Sequence, residues 1–194
     1  MRFMKFLPFL LTIVVTFLFA SCQEDVNPNY QEEAADPEFY HRSVKKLTDV
    51  IVHDIFSPPV AARIYSYSNV AGYEAMAAGS ANYKSLAGQL AGLESVPQPV
   101  EGEEYCFPVA ALIAQMKVGK SLIFSEEKID AFADELMGEI EAIKLPEAVL
   151  ERSVTYGNTI ADHVIEWYDG DMYKQTRTFP KFSINDEPWR WQPT

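Results

Sequence analysis

Histidines are the residues of this chain best suited to move protons or bind a metal, and their positions decide which chemistry is open to them. His41 lies in the first turn of a predicted helix, where it should face solvent. His53 borders the apolar stripe of that helix and His163 lies in a flanking stripe of another, which favours structural histidines that each hydrogen-bond a neighbour. A metal site would use His163 with Glu166, but the Glu-x-x-His order of di-iron bundles is absent. We predict no metal site and no catalytic residue in this chain.

Cationic side chains near the C-terminus suggest a second kind of chemistry. Lys174 and Arg177 carry N–H donors that could hold an oxyanion, although an exposed loop would explain the same residues. The chain has no glycine-rich phosphate loop, no Gly-x-Ser-x-Gly elbow and no His-Glu-x-x-His motif. Lys174 and Arg177 are therefore candidate oxyanion contacts that are too few for a complete oxyanion site.

A central helix, predicted over 57–79, should organise the rest of the chain. Ser57 can accept a backbone hydrogen bond as N-cap, Pro58 fits the first turn and Gly79 closes the helix. The helix is apolar on nearly every side, so it should be covered on several sides. Its two charges, Arg63 and Glu74, are eleven residues or roughly 16 Å apart, so each needs a separate partner.

Four tyrosines in or just after this helix could line a ligand groove. Aromatic residues at helical spacing more often belong to a core, which is the interpretation that we favour. The four are Tyr65, Tyr67, Tyr73 and Tyr83.

Four further helices complete a predicted all-α bundle, because neither strand-like alternation nor an internal repeat is found. They are predicted at 37–56, 108–124, 125–143 and 147–170. Asp36 starts the first helix and Ile55 ends its apolar stripe, while Ser125 caps the helix at 125–143 and Gly170 ends the last one. Residues 82–93 should form one or two helical turns, 94–104 a surface loop and 171–194 an extended tail.

The N-terminus is typical of an export signal. Met1 to Ser21 combines Arg2 and Lys5 with an apolar run and small residues directly before Cys22, which predicts a bacterial lipoprotein lipidated on Cys22. The alternative is an uncleaved membrane anchor with an incidental cysteine. Residues 22–36 are predicted to be a flexible tether. The chain would then be exported and membrane-anchored, in the periplasm or at the cell surface.

Charge and length limit the partners of the mature chain. Without Arg2 and Lys5, 14 basic residues face 28 acidic ones, a net charge of −14, which excludes nucleic acid as a partner. The 173 residues after position 21 suffice for one domain, predicted over 37–170. Cys106 is the one remaining thiol once Cys22 is lipidated, so we expect no internal disulfide.

Five segments have a distinctive sequence: SPPVAARIY at 57–65, AGYEA at 71–75, YKSLAGQL at 83–90, YKQTR at 173–177 and WQPT at 191–194. Together they resemble the N-terminal half of exported vanadium-dependent haloperoxidase-like proteins, which belong to the type 2 phosphatidic acid phosphatase superfamily. The resemblance runs from about Asp36 to the last residue. It implies an all-helical fold and, in the full-length family, an active site that holds vanadate or phosphate.

The catalytic residues of this family cannot be assigned to the chain. The resemblance implies an oxyanion bound by a Lys ahead of an Arg-Pro pair, by a Ser-Gly-His segment, and by a later Arg and His, with one His bonded to vanadium. This sequence has no Arg-Pro pair, no Ser-Gly-His and no His after His163. In the family these residues follow the Trp-x-Pro-Thr segment, so we expect vanadate in the full-length family and no cofactor in this chain.

Two functional hypotheses follow. The chain is either the N-terminal part of a haloperoxidase- or phosphatase-like lipoprotein, inactive alone, or a complete non-enzymatic helical lipoprotein that binds a partner or a glycan. Under the first hypothesis, the helices at 57–79 and 108–124 are too apolar for the three other helices to cover. We therefore expect exposed apolar surface, where missing C-terminal helices would pack, and self-association in their absence.

Overall fold

The computed structural model describes residues 25–181, 183 and 187–190 of this protein. The predicted signal at 1–21, Cys22 and the WQPT segment lie outside these residues. The described part of the chain contains seven helices and no strand, so the all-α prediction is confirmed. They are α1 (Tyr30–Ala34), α2 (Pro37–His53), α3 (Pro58–Ala77), α4 (Phe107–Lys120), α5 (Glu126–Ala142), α6 (Glu147–Asp169) and α7 (Tyr173–Thr176).

Helix α4 is the centre of the bundle. It contacts α2, α3, α5 and α6, and nine of its fourteen residues are buried. One core cluster joins α2, α4, α5 and the start of α6 around Leu47, Leu136 and Ile140. The second joins α3, α4, α6 and the 86–105 loop around Ala75, Leu93 and Ile160. The bundle is therefore built in two halves that share α4.

Two of the predicted side-chain caps are wrong. The carboxylate of Asp36 caps α2 by accepting a bond from Glu38 N at 2.9 Å, as expected. Ser57 and Ser125 occupy the N-cap positions of α3 and α5, but neither makes a side-chain cap hydrogen bond. The hydroxyl of Ser125 instead donates to Asp54 Oδ1 at 2.6 Å, because the end of α2 packs against this position.

The ends of α2 and α3 also differ from the prediction. Helix α2 ends at His53, and Ile55, expected in its apolar stripe, has a left-handed φ of 56° and is 88% exposed. Helix α3 ends at Ala77, before Gly79, and the backbone of Gly79 lies so close to the ring of Phe107 that a Cβ would collide with it. Gly170 is the C-cap of α6, as predicted.

The predicted flexible tether is wrong for the residues that the structure describes. Asn27 N donates to Lys144 O at 3.0 Å, and Gln31 bonds Tyr105 O at 3.2 Å. Tyr30 and Ala34 are buried, because their spacing of four places both on one face of α1, which packs on the core. The hydroxyl of Tyr30 donates to the carboxylate of Glu104. The domain therefore begins before residue 37.

The loops and the tail complete the fold. Residues 82–93 form turns rather than a helix, with Gly88 and Gly92 at positive φ, and 94–104 is a loop that buries Val96. The tail is not fully extended, because α7 adds one helical turn at 173–176. None of the described helices has the length and apolar character needed to span a membrane.

Candidate functional site

Arg63 is the centre of the most highly organised polar cluster in the described chain. Its Nε donates to Asp171 Oδ2 at 2.6 Å, and the exposed fractions of the two side chains are 15% and 20%. Its guanidinium carbon lies 5.1, 5.0 and 4.4 Å from the ring centres of Tyr67, Tyr168 and Tyr173. We call these five residues the arginine cluster. Such cation–aromatic contacts strengthen as water is excluded, so the cluster fixes the start of the tail on α3.

Asp171 joins this cluster to the chain that follows. Its Oδ2 also accepts from the hydroxyl of Tyr67 at 3.1 Å, and its Oδ1 accepts from Tyr173 N at 2.9 Å. Burial tends to raise the pKa of Asp171, but the bonds from Arg63, Tyr173 N and Tyr67 together hold that pKa below its usual value of 3.8. The carboxylate is therefore ionised at neutral pH.

The other central charge is also paired, as predicted. Glu74 is 2% exposed and accepts from Ser85 Oγ at 2.7 Å and from Leu86 N at 2.6 Å. Arg63 and Glu74 therefore have separate partners at the two ends of α3. Both partners lie in loops whose positions the sequence did not predict.

The two candidate oxyanion contacts do not converge on a site. Lys174 Nζ donates to Asp169 Oδ1 at 2.9 Å, and this ammonium is exposed. The Asp169 carboxylate raises the pKa of Lys174, first through this hydrogen bond. Arg177 lies over the ring of Tyr173, 5.8 Å from its centre. Because Asp169 and Asp171 flank these cations, an added oxyanion would meet nearby negative charge.

The histidines lie apart from one another. His163 Nε2 bonds Ser95 O at 2.7 Å, which is the structural role expected of it. His41 is exposed and 3.9 Å from Glu38, while His53 is exposed at the end of α2 rather than held against a core. In the described part of the chain no three His, Cys, Asp or Glu side chains come together to form a possible metal site. Cys106 is a buried free thiol, and burial raises its pKa.

The four tyrosines in and just after the predicted central helix lie in different environments. Tyr65 donates to Thr48 Oγ1 at 2.9 Å, and Tyr67 belongs to the arginine cluster. Tyr73 donates to Lys84 O at 2.8 Å and also lines a cavity, whereas Tyr83 is 62% exposed. The core interpretation is thus right for Tyr65 and wrong for Tyr83.

A cavity of about 470 Å³ lies between α1, α2, α3 and α4. Its walls are mostly apolar, with Tyr40 and Asn69 among the few polar groups, and the Tyr40 hydroxyl donates to Asn69 Oδ1 at 3.2 Å. A second cavity of about 520 Å³ is contiguous with it and shares Ala35, Tyr73, Met76 and Pro108. We call the two together the α1–α4 groove.

Sequence reasoning missed the polar residues of this groove. Helical spacing places Tyr40 in the apolar stripe of α2 and does not indicate its polar role. The same spacing gives no reason to distinguish Asn69 on the otherwise apolar α3. An amide close to a glycine was the available signal, because Asn69 precedes Gly72 by three residues on one helix face. Gln115 is a further signal, since an amide inside an almost wholly apolar helix requires a hydrogen-bond partner.

Comparison with known proteins gives one informative finding. No protein-family model matches the chain, and no curated protein does. Among solved structures, the chain is similar to a protein described as the first bacterial vanadium-dependent iodoperoxidase, with 45% identity and a TM-score of 0.73. The match covers 81% of this chain and 38% of that one, so this chain spans about two fifths of the length of that protein.

This similarity confirms the predicted relationship with the vanadium-dependent haloperoxidase-like superfamily, and the partial coverage fits an N-terminal half. The name of that protein implies vanadate as the cofactor of the full-length family. The described residues of this chain do not fit vanadate, because Lys174 and Arg63 are paired with carboxylates and Arg177 stands beside them.

Proposed function

We propose that this chain is the N-terminal helical part of an exported vanadium-dependent haloperoxidase-like lipoprotein and has no haloperoxidase or phosphatase activity by itself. The proposal rests mainly on the 45% identity to a vanadium-dependent iodoperoxidase, in a match that covers 38% of that protein. The absence of an Arg-Pro pair and a Ser-Gly-His segment from the sequence supports it. An oxyanion site needs several convergent cationic donors, and two of the cations near α7, Lys174 and Arg63, are already paired with carboxylates.

An activity assay tests the catalytic part of this proposal. Residues 23–194 with vanadate, peroxide and bromide or iodide should not halogenate a phenol-red acceptor above background, nor should they hydrolyse p-nitrophenyl phosphate. Robust turnover that disappears in Lys174→Ala or His163→Ala would contradict the proposal. Lys45→Ala serves as the control, because Lys45 forms an exposed pair with Asp49 away from both residues.

The gene itself tests whether the polypeptide continues. Under this proposal the reading frame should continue past the codon for Thr194 and encode an Arg-Pro pair, a Ser-Gly-His segment and a later His. A stop codon at that position would favour the alternative, a complete non-enzymatic helical lipoprotein that binds a partner or a glycan. One observation favours this alternative: within the described residues, α4 is already covered by α2, α3, α5 and α6.

The membrane attachment is proposed on the sequence alone. Arg2 and Lys5, the apolar run and the small residues before Cys22 support a lipid anchor on Cys22. The protein should fractionate with membranes, and Cys22→Ala should block both lipid labelling and signal removal by the lipoprotein peptidase. Unchanged processing and labelling in this variant would contradict the proposal.

Self-association of the isolated chain is proposed to use an apolar corner formed by Val52, Ile55 and Phe124. Their exposed fractions are 71%, 88% and 76%, and the ring centre of Phe124 lies 4.7 Å from that of Phe56. C-terminal helices of a longer protein would cover such a surface. Sedimentation of residues 23–194 should show association that Phe124→Lys reduces and Val100→Lys, at an exposed loop valine, does not. A monodisperse wild-type monomer would contradict this proposal.

A further inference from the structure

We propose that the α1–α4 groove binds a small, neutral, largely apolar molecule that carries one hydroxyl group, such as a phenol. This inference does not depend on the proposed function, because it uses residues of the described helices alone. The cavity volume of about 470 Å³ lies within the range of natural small-molecule sites. The contiguous second cavity leaves room for a ligand longer than one ring.

The walls of the groove select an apolar ligand body. Apolar side chains from four different helices face the cavity, so a ring that binds there would lose its contact with water on both of its faces. These side chains belong to Ala34, Phe39, Met76, Ala111 and Leu112. Met76 stands at the rim with an exposed fraction of 41%, which makes the cavity accessible from solvent.

Tyr40 supplies the hydrogen-bonding group for the ligand. Its side chain lies mostly within the protein, and this burial raises the pKa of its phenol to about 12, so the hydroxyl stays neutral at physiological pH. The proton of this hydroxyl is used in the bond to Asn69 Oδ1, and Asn69 Nδ2 in turn donates to Tyr65 O at 2.8 Å. The oxygen of Tyr40 therefore keeps lone pairs that can accept a bond from a ligand hydroxyl.

Gly72 makes room for this phenol. A Cβ at position 72 would collide with the Tyr40 oxygen and would lie 3.0 Å from two of its ring carbons. Any other residue would displace Tyr40 from the wall of the cavity. The polar group is therefore held in place by helix packing and is not an incidental surface hydroxyl.

The charges around the groove exclude an anionic ligand. Among the residues that line the first cavity, none is Lys or Arg. The carboxylate of Asp36 lies on the lining and is engaged in capping α2, while His41 lies beside Glu38. A carboxylate or sulfonate would meet negative charge without a cationic partner, so a neutral hydroxyl is the head group that fits.

Gln115 is a buried amide on α4, close to the groove in sequence but not among its lining residues. It follows Ala111 and Leu112 by four and three residues, so it lies on the face of α4 that lines the cavity, one turn further along. It is 1% exposed, and neither its Oε1 nor its Nε2 has a hydrogen-bond partner among the described residues. Buried amides are almost always hydrogen-bonded, so Gln115 is an unusual residue on the helix face that lines the groove.

Methyl NMR of the full chain, with ¹³C-labelled methionine methyl groups, tests this inference with a probe on the wall of the groove. 1-Naphthol should shift the Met76 methyl signal saturably, and the Met172 methyl, which is exposed in the tail, should not move. Naphthalene should bind more weakly because it lacks the hydroxyl, and 1-naphthalenesulfonate should not compete. No saturable shift at Met76, or equal binding of the sulfonate, would overturn the inference.

Two variants separate specific binding from general loss of structure. Tyr40→Phe should weaken naphthol binding about fivefold to tenfold and leave naphthalene binding unchanged, because it removes one hydrogen bond and keeps the ring. An equal loss for both ligands would show that Tyr40 acts only through packing and would overturn its assigned role. Ala35→Trp, at the exposed rim, should block both ligands without lowering the thermal transition. Undiminished naphthol binding in that variant would place the site elsewhere.

Discussion

Helices α3 and α4 look alike in sequence but differ in the structure. Both are almost wholly apolar, and both were expected to leave apolar surface exposed. Helix α4 is surrounded by α2, α3, α5 and α6, and the exposed Phe124 of the predicted helix lies beyond its last residue, Lys120. Helix α3 contacts α4, α6 and, through Tyr40 and Thr48, α2. It leaves Pro59, Ala62 and Met76 exposed.

The comparison teaches that small residues have two different uses in these helices. In α4, Ala110 and Ala114 let neighbouring helices approach from several sides and are fully buried. In α3, Gly72 admits the phenol of Tyr40 from α2, and this contact forms part of the wall of a cavity. Apolar composition predicts that a helix can be buried, and the number of neighbours decides whether it is.

The largest expected effect comes from the contact of α4 with α6. A Cβ at Gly157 would lie 2.5 Å from Ala110 O and 2.9 Å from Ile113 Cβ, so Gly157→Val should force the two helices apart. We expect a loss of about 3 kcal/mol in the free energy of unfolding, measured with urea. Gly138→Ala is the matched control, since a Cβ there meets nothing within 4 Å and should stabilise α5 by about 0.5–1 kcal/mol. A harmless Gly157→Val would contradict the tight packing of α4.

A matched pair of substitutions tests the difference between the two helices directly. Ala114→Leu adds three carbons at a fully buried position of α4 and should cost about 1–3 kcal/mol of unfolding free energy. Ala62→Leu makes the same change at an exposed position of α3 and should alter stability by less than about 0.5 kcal/mol. Equal losses in the two variants would mean that α3 is covered as completely as α4.

The smallest effect concerns the polar contact that α3 makes with the tail. Arg63→Ala removes the ion pair with Asp171 and three aromatic contacts, and we expect a loss of about 1–2 kcal/mol because both side chains keep some contact with water. The exposed Lys45–Asp49 pair gives the control, since Lys45→Ala should have little effect. An Arg63→Ala loss no larger than that of Lys45→Ala would show that the arginine cluster does not hold the tail.

The pH dependence of this effect follows from the lowered pKa of Asp171. A carboxylate with a lowered pKa in the folded state contributes stability above its unfolded pKa, here about 3.8, and loses it as the pH falls through the folded pKa. The difference between wild type and Arg63→Ala should therefore be constant from about pH 5 to 8 and shrink below pH 3.8. A difference that persists at lower pH would assign the effect to the aromatic contacts alone.

Much of the candidate site was outside the reach of sequence reasoning. Asp36 was identified as a helix cap because its bond to Glu38 N spans two residues, whereas Ser125 was misassigned because Asp54, 71 residues away, competes for its hydroxyl. The pairing of Lys174 with Asp169 could not be predicted from the sequence either, because it depends on how the tail folds back after α6. Tyr40 and Asn69 are 29 residues apart and meet only after α2 packs on α3.

The sequence by itself determined the all-α class, the approximate limits of the five long helices, the need of Arg63 and Glu74 for separate partners, and the relationship to the haloperoxidase-like superfamily. Most of these features depend on helical spacing and backbone capping, which act over about four residues. The relationship to the superfamily depends on short sequence motifs, which are present in the sequence itself. The tertiary structure decided that residues from Asn27 onwards pack on the core, that α4 is enclosed while α3 borders a groove, and which carboxylate each cation meets. Those outcomes depend on contacts between residues far apart in the chain, where burial and charge pairing are set by all the neighbouring helices together.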